Sequence, residues 1–422
     1  MSDRYMKRVM DGHLEGRLRS SGAVLIEGAK WCGKTRTAKE HAASAIYMQD
    51  PDLRENQLKL AKLKPSELLK GDTPRLIDEW QLAPVLWDAV RFEVDKRNGA
   101  AGQFILTGSS AVPEGEIMHS GAGRISRILM RPMSLFESLE SDGSVSLTEL
   151  FRRSKEVSGC SEMSLEEISF CIVRGGWPES VGKDEETAMN RVQDYVAAIA
   201  HTDASAVDGT RRNPKLVLDI LRSLSRNIST AAAMSTVRSD ISGAGSEVTE
   251  KTMASYVAAL GSLFVIEDVP AWNPAMRSRS ALRAAPKRHF VDPSIAAAMF
   301  HSSSGGLMKD LNTLGLLFES LCIRDLRVYA QAIDGEIYHY RDRTDLEADA
   351  IIHLRDGRWA AAEIKLGQDR IDEAARNLLR IKEKVDTEKM QMPSFLMVIT
   401  SSGYAYERDD GVLVVPIGCL KH

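Results

Sequence analysis

One short stretch constrains this chain more than any other. Gly28-Ala29-Lys30-Trp31-Cys32-Gly33-Lys34-Thr35 reads G-x-x-x-x-G-K-T. It follows the apolar run Ala23-Val24-Leu25-Ile26 and precedes a helix-compatible segment that opens at Thr35. A strand, a glycine-containing bend and a helix start, in that order, are what a phosphate cradle requires. Its glycines let backbone N–H groups turn inward as an anion nest, and the helix start adds its dipole. The expected nucleotide contacts are therefore Gly28, Ala29, Lys30, Trp31, Cys32, Gly33, Lys34 and Thr35, with Arg36 beside them. The Lys34 ammonium is expected at the β- and γ-phosphates of ATP, and the Thr35 hydroxyl at Mg²⁺.

A second motif stands at a compatible distance. Arg75-Leu76-Ile77-Asp78-Glu79 is a short apolar strand that ends in two carboxylates. Asp78 is placed to orient Mg²⁺, and Glu79 to polarise an attacking water as general base. A third apolar run, Phe104-Ile105-Leu106, ends in Thr107-Gly108-Ser109. Thr107 either senses the γ-phosphate or is an ordinary residue of a turn. The alternation of strands at Ala23–Ile26, Ala45–Met48, Leu76–Asp78, Gln103–Leu106 and Ile125–Leu129 with helical segments such as Pro84–Arg97 predicts a parallel sheet wrapped by helices. The fold class is α/β of the P-loop NTPase type.

Beyond residue 140 the pattern changes. Ser141-Asp142-Gly143-Ser144 reads as a linker, and helical periodicity dominates from Leu147 to about Phe300. Val217, Ile220, Leu221 and Leu224 fall on one helix face, and Met253, Tyr256, Val257 and Leu260 on another, with Thr249 as N-cap. Leu263-Phe264-Val265-Ile266 and His289-Phe290-Val291 read as strands, which suggests a winged helix. Three domains result: 1–140, 141–305 and 306–422. Net charge is −4, so no global field draws the chain to nucleic acid. Any such contact needs a local patch. Arg277, Arg279, Arg283, Lys287 and Arg288 form a strip without an acid, and Arg211, Arg212, Lys215, Arg222 and Arg226 form a second zone. The second helix carries Glu250 and no arginine, so sequence-specific reading of bases is not expected; the region either contacts backbone phosphates of DNA or only packs. The five cysteines are scattered without metal-ligand spacing, and no long apolar run or apolar leader is visible. A cytoplasmic protein without membrane contact is expected.

The run from Leu25 to Glu137 resembles the AAA-type ATPase domain of many prokaryotic proteins. The stretches that carry the resemblance are Gly28–Thr35, Ile77-Asp78-Glu79-Trp80-Gln81-Leu82-Ala83-Pro84, Phe104-Ile105-Leu106-Thr107-Gly108-Ser109-Ser110, Gly123-Arg124, and Leu129-Met130-Arg131-Pro132-Met133-Ser134-Leu135-Phe136-Glu137. It implies that a late arginine faces the γ-phosphate of the chain's own or a neighbour's nucleotide. Arg124 is the first candidate and Arg127 the second, against the plain alternative of a surface ion pair. A finger acting in trans implies a homo-oligomer. The resemblance continues into a helical and winged-helix region and a C-terminal domain with a restriction-endonuclease-like core. Phe170-Cys171-Ile172-Val173-Arg174-Gly175-Gly176-Trp177-Pro178-Glu179 matches the family's linker and is assigned a structural turn.

In that last domain Asp349 and Glu363-Ile364-Lys365 resemble a D…E-x-K nuclease core. Asp349 and Glu363 would hold Mg²⁺, and Lys365 would orient the attacking water or stabilise the charged transition state. Register tests the constellation. If Arg355-Asp356-Gly357 is a three-residue loop with Gly357 left-handed, Leu354 pairs with Arg358. Asp349 then lies opposite Glu363, and Glu347 opposite Lys365. A two-residue loop would turn Asp349 to the other face. A structural ladder of paired Glu and Lys is the alternative.

Overall fold

The computed structural model describes residues 5–109, 117–153, 156–243, 248–272, 285–386, 388 and 390–422. The chain forms two compact units whose segments interleave. Met1–Pro132, Thr202–Arg212 and Ala258–Val265 make the first; Met133–His201, Asn213–Val257 and Ile266–His422 make the second.

The first unit contains α1 (Met10–Ser20), β1 (Ala23–Glu27), α2 (Lys34–Glu40), β2 (Ser44–Tyr47), α3 (Arg54–Leu63), β3 (Arg75–Asp78), α4 (Val85–Lys96), β4 (Phe104–Gly108) and β5 (Ile125–Leu129). The strands align in the order β2-β3-β4-β1-β5, all parallel. All of β4 and Ala23–Ile26 of β1 are buried, as a sheet covered on both faces demands. On α4, Leu86, Trp87, Val90 and Val94 are buried, and Trp87 stacks at a tilt on Trp80 with 5.0 Å between ring centroids. Each such side chain contributes roughly 1.5–3 kcal/mol on burial. In this order β4 separates β1 from β3, so the loop after β1, the end of β4 and the acidic end of β3 lie along one edge. The register pairs Asp78 with Thr107.

The second unit opens with β6 (Val145–Ser146), α5 (Leu147–Arg152), β7 (Gly159–Ser161), α6 (Leu165–Arg174) and α7 (Glu185–Ala198). The short α8 (Ala204–Ala206) belongs to the first unit. Then come α9 (Pro214–Arg226), α10 (Met234–Gly243) and the start of α11 (Glu250–Ser262), whose end from Ala258 belongs to the first unit. Asn213 caps α9, and the Thr249 hydroxyl accepts from the N–H of Thr252 at the start of α11. Two antiparallel bridges follow, Ile266 with Phe290 and Val269 with Lys287. The strand expected at Leu263–Ile266 is not formed over that length. The helix runs to Ser262, Phe264 takes a left-handed turn (φ 57°), and pairing begins only at Ile266.

The unit continues through α12 (Ser294–Met299), α13 (Ser304–Leu307), α14 (Leu311–Gln331), β8 (Gly335–Arg341), β9 (Glu347–Leu354), β10 (Trp359–Lys365), α15 (Ile371–Glu383), β11 (Leu396–Thr400), β12 (Gly403–Glu407), β13 (Val412–Pro416) and β14 (Leu420–Lys421). Seven strands form a mixed sheet, β7-β12-β13-β11-β10-β9-β8. The Gly175-Gly176-Trp177 turn is pinned inside this unit. Asp292 accepts from the Gly176 N–H at 2.9 Å, and the Trp177 indole donates to Ser294 at 2.9 Å. Buried Arg324 pairs with Asp292 (2.9 Å) and Asp325 (2.7 Å). Breaking such a pair would leave a buried charge alone.

Candidate nucleotide site and a buried acidic cluster

The bend between β1 and α2 is shaped by close packing. A Cβ on Gly28 would stand 2.1 Å from the carbonyl oxygen of Met130, so only glycine fits there. The chain then turns left-handed at Trp31 (φ 71°) and at Gly33 (φ 102°), the residue that precedes α2. Lys34 is buried and points into the bend. Its ammonium donates to the carbonyl oxygens of Gly28 and Ala29, both at 2.8 Å. Carbonyl partners are neutral, so the lysine charge is not consumed by a carboxylate.

At the sheet edge, Asp78 is fully buried and accepts from three neutral donors. The Thr35 hydroxyl lies 2.7 Å and the Thr107 hydroxyl 2.6 Å from its Oδ1; the Gln49 amide lies 3.1 Å from its Oδ2. Three elements thus converge on one carboxylate. Thr35 and Asp78 are both hard oxygen donors, the kind that hold Mg²⁺. The next residue, Glu79, sits in the left-handed region (φ 54°, ψ 46°). That conformation costs a non-glycine residue on the order of 1 kcal/mol. Its carboxylate accepts from the Gln81 amide and, at 3.1 Å, from the Ser109 hydroxyl.

The second unit holds a different carboxylate group. The β9–β10 hairpin has Leu354 bonded to Arg358 across a turn in which Gly357 is left-handed (φ 91°). The pairing Ala362 with Ala350, continued by one residue, sets Glu363 opposite Asp349. Asp349 is buried and its Oδ2 accepts from the N–H of Ile364 at 2.9 Å. The Lys365 ammonium lies 2.5 Å from Glu363 Oε2 and 3.6 Å from Asp349 Oδ2. A second ammonium enters from the ribbon: Lys287 Nζ lies 2.9 Å from Asp349 Oδ1 and 2.9 Å from Glu319 Oε1 on α14. Continued two residues further, the same register sets Glu347 opposite Lys365, while on its other side Glu347 pairs with Arg341 of β8.

Charge within this cluster is tightly redistributed. Burial raises Glu319 and Glu363 to about 8, and the negative charge of Asp349 adds to both. Burial also opposes ionisation of Asp349, but Lys287 and Lys365 outweigh it and hold that carboxyl well below the usual range. The same carboxylates overcome the burial penalty on Lys287 and Lys365 and keep both protonated. Among the described residues, no group of three or more His, Cys, Asp or Glu side chains is arranged to hold a metal ion.

Residues 20–139 match the model of the AAA domain family. Together with the strand–loop–helix cradle and the acidic end of β3, this decides the first unit. It carries a P-loop AAA-type ATPase domain. Residues 165–305 and 314–420 match two families described as domains of unknown function, DUF8612 and DUF4143. A search of curated proteins found no match. Among solved structures, the Walker-type ATPase of Pyrococcus abyssi aligns over 70% of this chain and 96% of its own, at 15% identity and a TM-score of 0.42. Among the described residues, no helix is long and apolar enough to cross a membrane.

The ATPase domain brings Gly28, Lys34, Thr35, Asp78, Glu79 and Thr107 to one edge. It does not bring Arg124 there. Arg124 directly precedes β5, and the register pairs its neighbour Ile125 with Ala23 at the start of β1. The cradle follows the far end of β1, five residues on, or roughly 16 Å along a strand. Arg124 instead pairs with Asp95 at 2.8 Å. Arg127 pairs with Glu27 at 2.8 Å and lies over the Trp87 ring. Arg124 therefore lies away from the domain's own phosphate cradle, and Arg127 is tied to the residue that precedes it.

The basic strip is also redrawn. Arg277, Arg279 and Arg283 lie outside the described residues, as does Ser110. Lys287 and Arg288 are buried, the first in the acidic cluster and the second paired with Asp268. They are not available to phosphates, because acids distant in sequence already neutralise them. In the second zone Arg212 is buried against Asp208. Lys215, Arg222 and Arg226 remain exposed along α9.

Sequence reasoning did not assign site roles to Gln49, Gln81, Ser109, Asp203 or Glu319, and it read Lys287 as part of a phosphate-binding strip rather than of an acidic cluster. Lys30, inside the cradle, donates to Asp203 at 2.5 Å, and Asp203 ends a π-helical turn, Ile199–Asp203. Gln81 and Ser109 lie within quoted motifs, so their polar side chains next to Glu79 were a usable signal. The others come from remote segments with no local signature.

Proposed function

We propose that the chain is an ATP-binding and ATP-hydrolysing molecular switch whose second unit acts on or near nucleic acid. The observation that carries this is the convergence of Thr35 and Thr107 on Asp78, with Glu79 held beside them by Gln81 and Ser109. In this scheme the cradle N–H groups bind the phosphates. Lys34 exchanges its two carbonyl partners for phosphate oxygens. Thr35 and Asp78 would hold Mg²⁺, which supplies charge neutralisation at the transferred phosphate. Glu79 takes a proton from the attacking water, and its two neutral partners keep it aimed. Arg124, at the opposite edge, is suited only to a neighbouring subunit's nucleotide.

For the nucleic-acid part, Lys215, Arg222 and Arg226 share one face of α9, opposite its buried Val217, Ile220, Leu221 and Leu224. Such a stripe fits backbone phosphates and would make binding fall steeply with salt. A second version, a regulatory ATPase whose C-terminal part does not cleave, is favoured by one observation: Lys287 stands between Glu319 and Asp349. The experiment is incubation with Mg²⁺ and ATP in the presence of supercoiled, linear or single-stranded DNA, comparing wild type with Lys34→Ala and Asp349→Ala. Phosphate release lost only in Lys34→Ala supports the switch. Phosphate release unchanged by Lys34→Ala would sink it. DNA cleavage lost in Asp349→Ala would favour the nuclease version.

A further inference from the structure

The buried lysine of the acidic cluster has a chemical consequence of its own. Lys287 is almost fully buried, at 6% exposure, and buried ammonium groups persist only where carboxylates surround them. Its two contacts, Glu319 Oε1 and Asp349 Oδ1, come from different elements, α14 and β9. Next to them, Glu363 is 1% exposed, and its Oε1 has no hydrogen-bond partner among the described residues. A buried carboxyl oxygen without a partner is costly, and a cation that takes the place of the carboxyl proton would satisfy it. Two further buried nitrogens nearby, His289 Nε2 and His339 Nδ1, also lack partners among the described residues. The cluster therefore offers three carboxyl groups, one with a spare oxygen, and fills the space between two of them with a tethered ammonium.

We propose that Lys287 is the resident cation of a latent divalent-metal site formed by Glu319, Asp349 and Glu363, and that its ammonium keeps Mg²⁺ or Mn²⁺ out. A tethered cation competes at an effective concentration of at least roughly millimolar, without paying for dehydration of a free ion. Withdrawing the ammonium leaves the three carboxyl groups facing Lys365 alone. Oxygen donors in surplus over cations are what a hard divalent ion requires. The cluster is thus closed to metal while Lys287 is in place and open when it leaves.

The test is Mn²⁺ binding to the full chain without nucleotide, read by electron paramagnetic resonance and by calorimetry. Wild type should bind Mn²⁺ weakly. Lys287→Met keeps the length of the side chain and removes the charge, and should bind at least about ten-fold tighter. Adding Asp349→Asn to Lys287→Met should abolish the gain, which separates this site from the phosphate cradle. Lys287→Arg should behave as wild type. If Lys287→Met does not fold alone, Mn²⁺ must restore its folding, and Lys287→Gln provides a second neutral variant. Equal binding by wild type and Lys287→Met, no binding by either, or no restoration of folding by Mn²⁺ would each overturn the proposal. Leaving nucleotide out keeps the outcome independent of whether the chain hydrolyses ATP.

Discussion

The two carboxylate groups of this chain are built on opposite electrostatic principles. Asp78 and Glu79 are held by hydroxyls and side-chain amides from Thr35, Thr107, Gln49, Gln81 and Ser109. Those donors fix geometry without spending negative charge, so the site still calls for a cation from outside. Asp349 and Glu363 are held by Lys287 and Lys365, which answer that demand from within. The contrast teaches that a motif of acids does not by itself define a metal site. What decides is whether the partners that position the acids are neutral or charged.

The largest expected effect falls on nucleotide affinity. Lys34→Ala removes the cradle's inward ammonium and should weaken ATP binding by about 100-fold or more, measured by titration with a fluorescent analogue. Normal affinity would place the site elsewhere and end the comparison. Next, Glu79→Gln should retain ATP binding and lower single-turnover hydrolysis by about 10²–10⁴-fold. Unchanged turnover would strip Glu79 of the base role.

A matched pair of substitutions sharpens the contrast in stability. Asp349→Asn strands part of the charge of Lys287 and should cost about 3 kcal/mol or more. Asp78→Asn disturbs only neutral hydrogen bonds and should cost about 1 kcal/mol, read in both cases by denaturant titration. Equal costs would erase the distinction between the two sites.

A last effect concerns pH. Glu319 and Glu363 lose their protons near 4.5 when unfolded and near about 8 in the fold. Across that window the folded chain keeps protons that the unfolded chain has released. Stability from these groups is therefore full below the lower value and is lost as pH rises through the upper one. The double variant Glu319→Gln with Glu363→Gln should flatten this part of the stability profile. An unaltered slope would mean that neither carboxyl holds a shifted proton.

The strands of the ATPase domain were legible because their signals are local. Apolar runs at Leu76–Asp78 and Ile125–Leu129 sit where the strands form, and the hairpin turn at Gly357 follows from the residues that make it. The parts of the candidate nucleotide site were visible for the same reason: its cradle and its acids each occupy a few consecutive residues. The roles of Lys287 and Arg288 were not. Read along the chain they look like an unopposed positive strip. In the fold, Glu319 and Asp349 reach Lys287, and Asp268 reaches Arg288. Charge in sequence gives the supply of cations, but only tertiary pairing says which are already taken. The position of Arg124 was hidden for a related reason, since its distance from the cradle depends on which end of β5 it precedes.

The Lys30–Asp203 contact bears on how the ATPase domain can be handled. It joins positions 173 residues apart, and Thr202–Arg212 and Ala258–Val265 fold with the N-terminal unit. A fragment stopped shortly after residue 139 would discard both of those insertions and orphan a cation in the cradle itself. Biochemistry on this enzyme domain therefore calls for the uncut polypeptide, since trimming at the apparent family border would amputate part of the nucleotide-binding body.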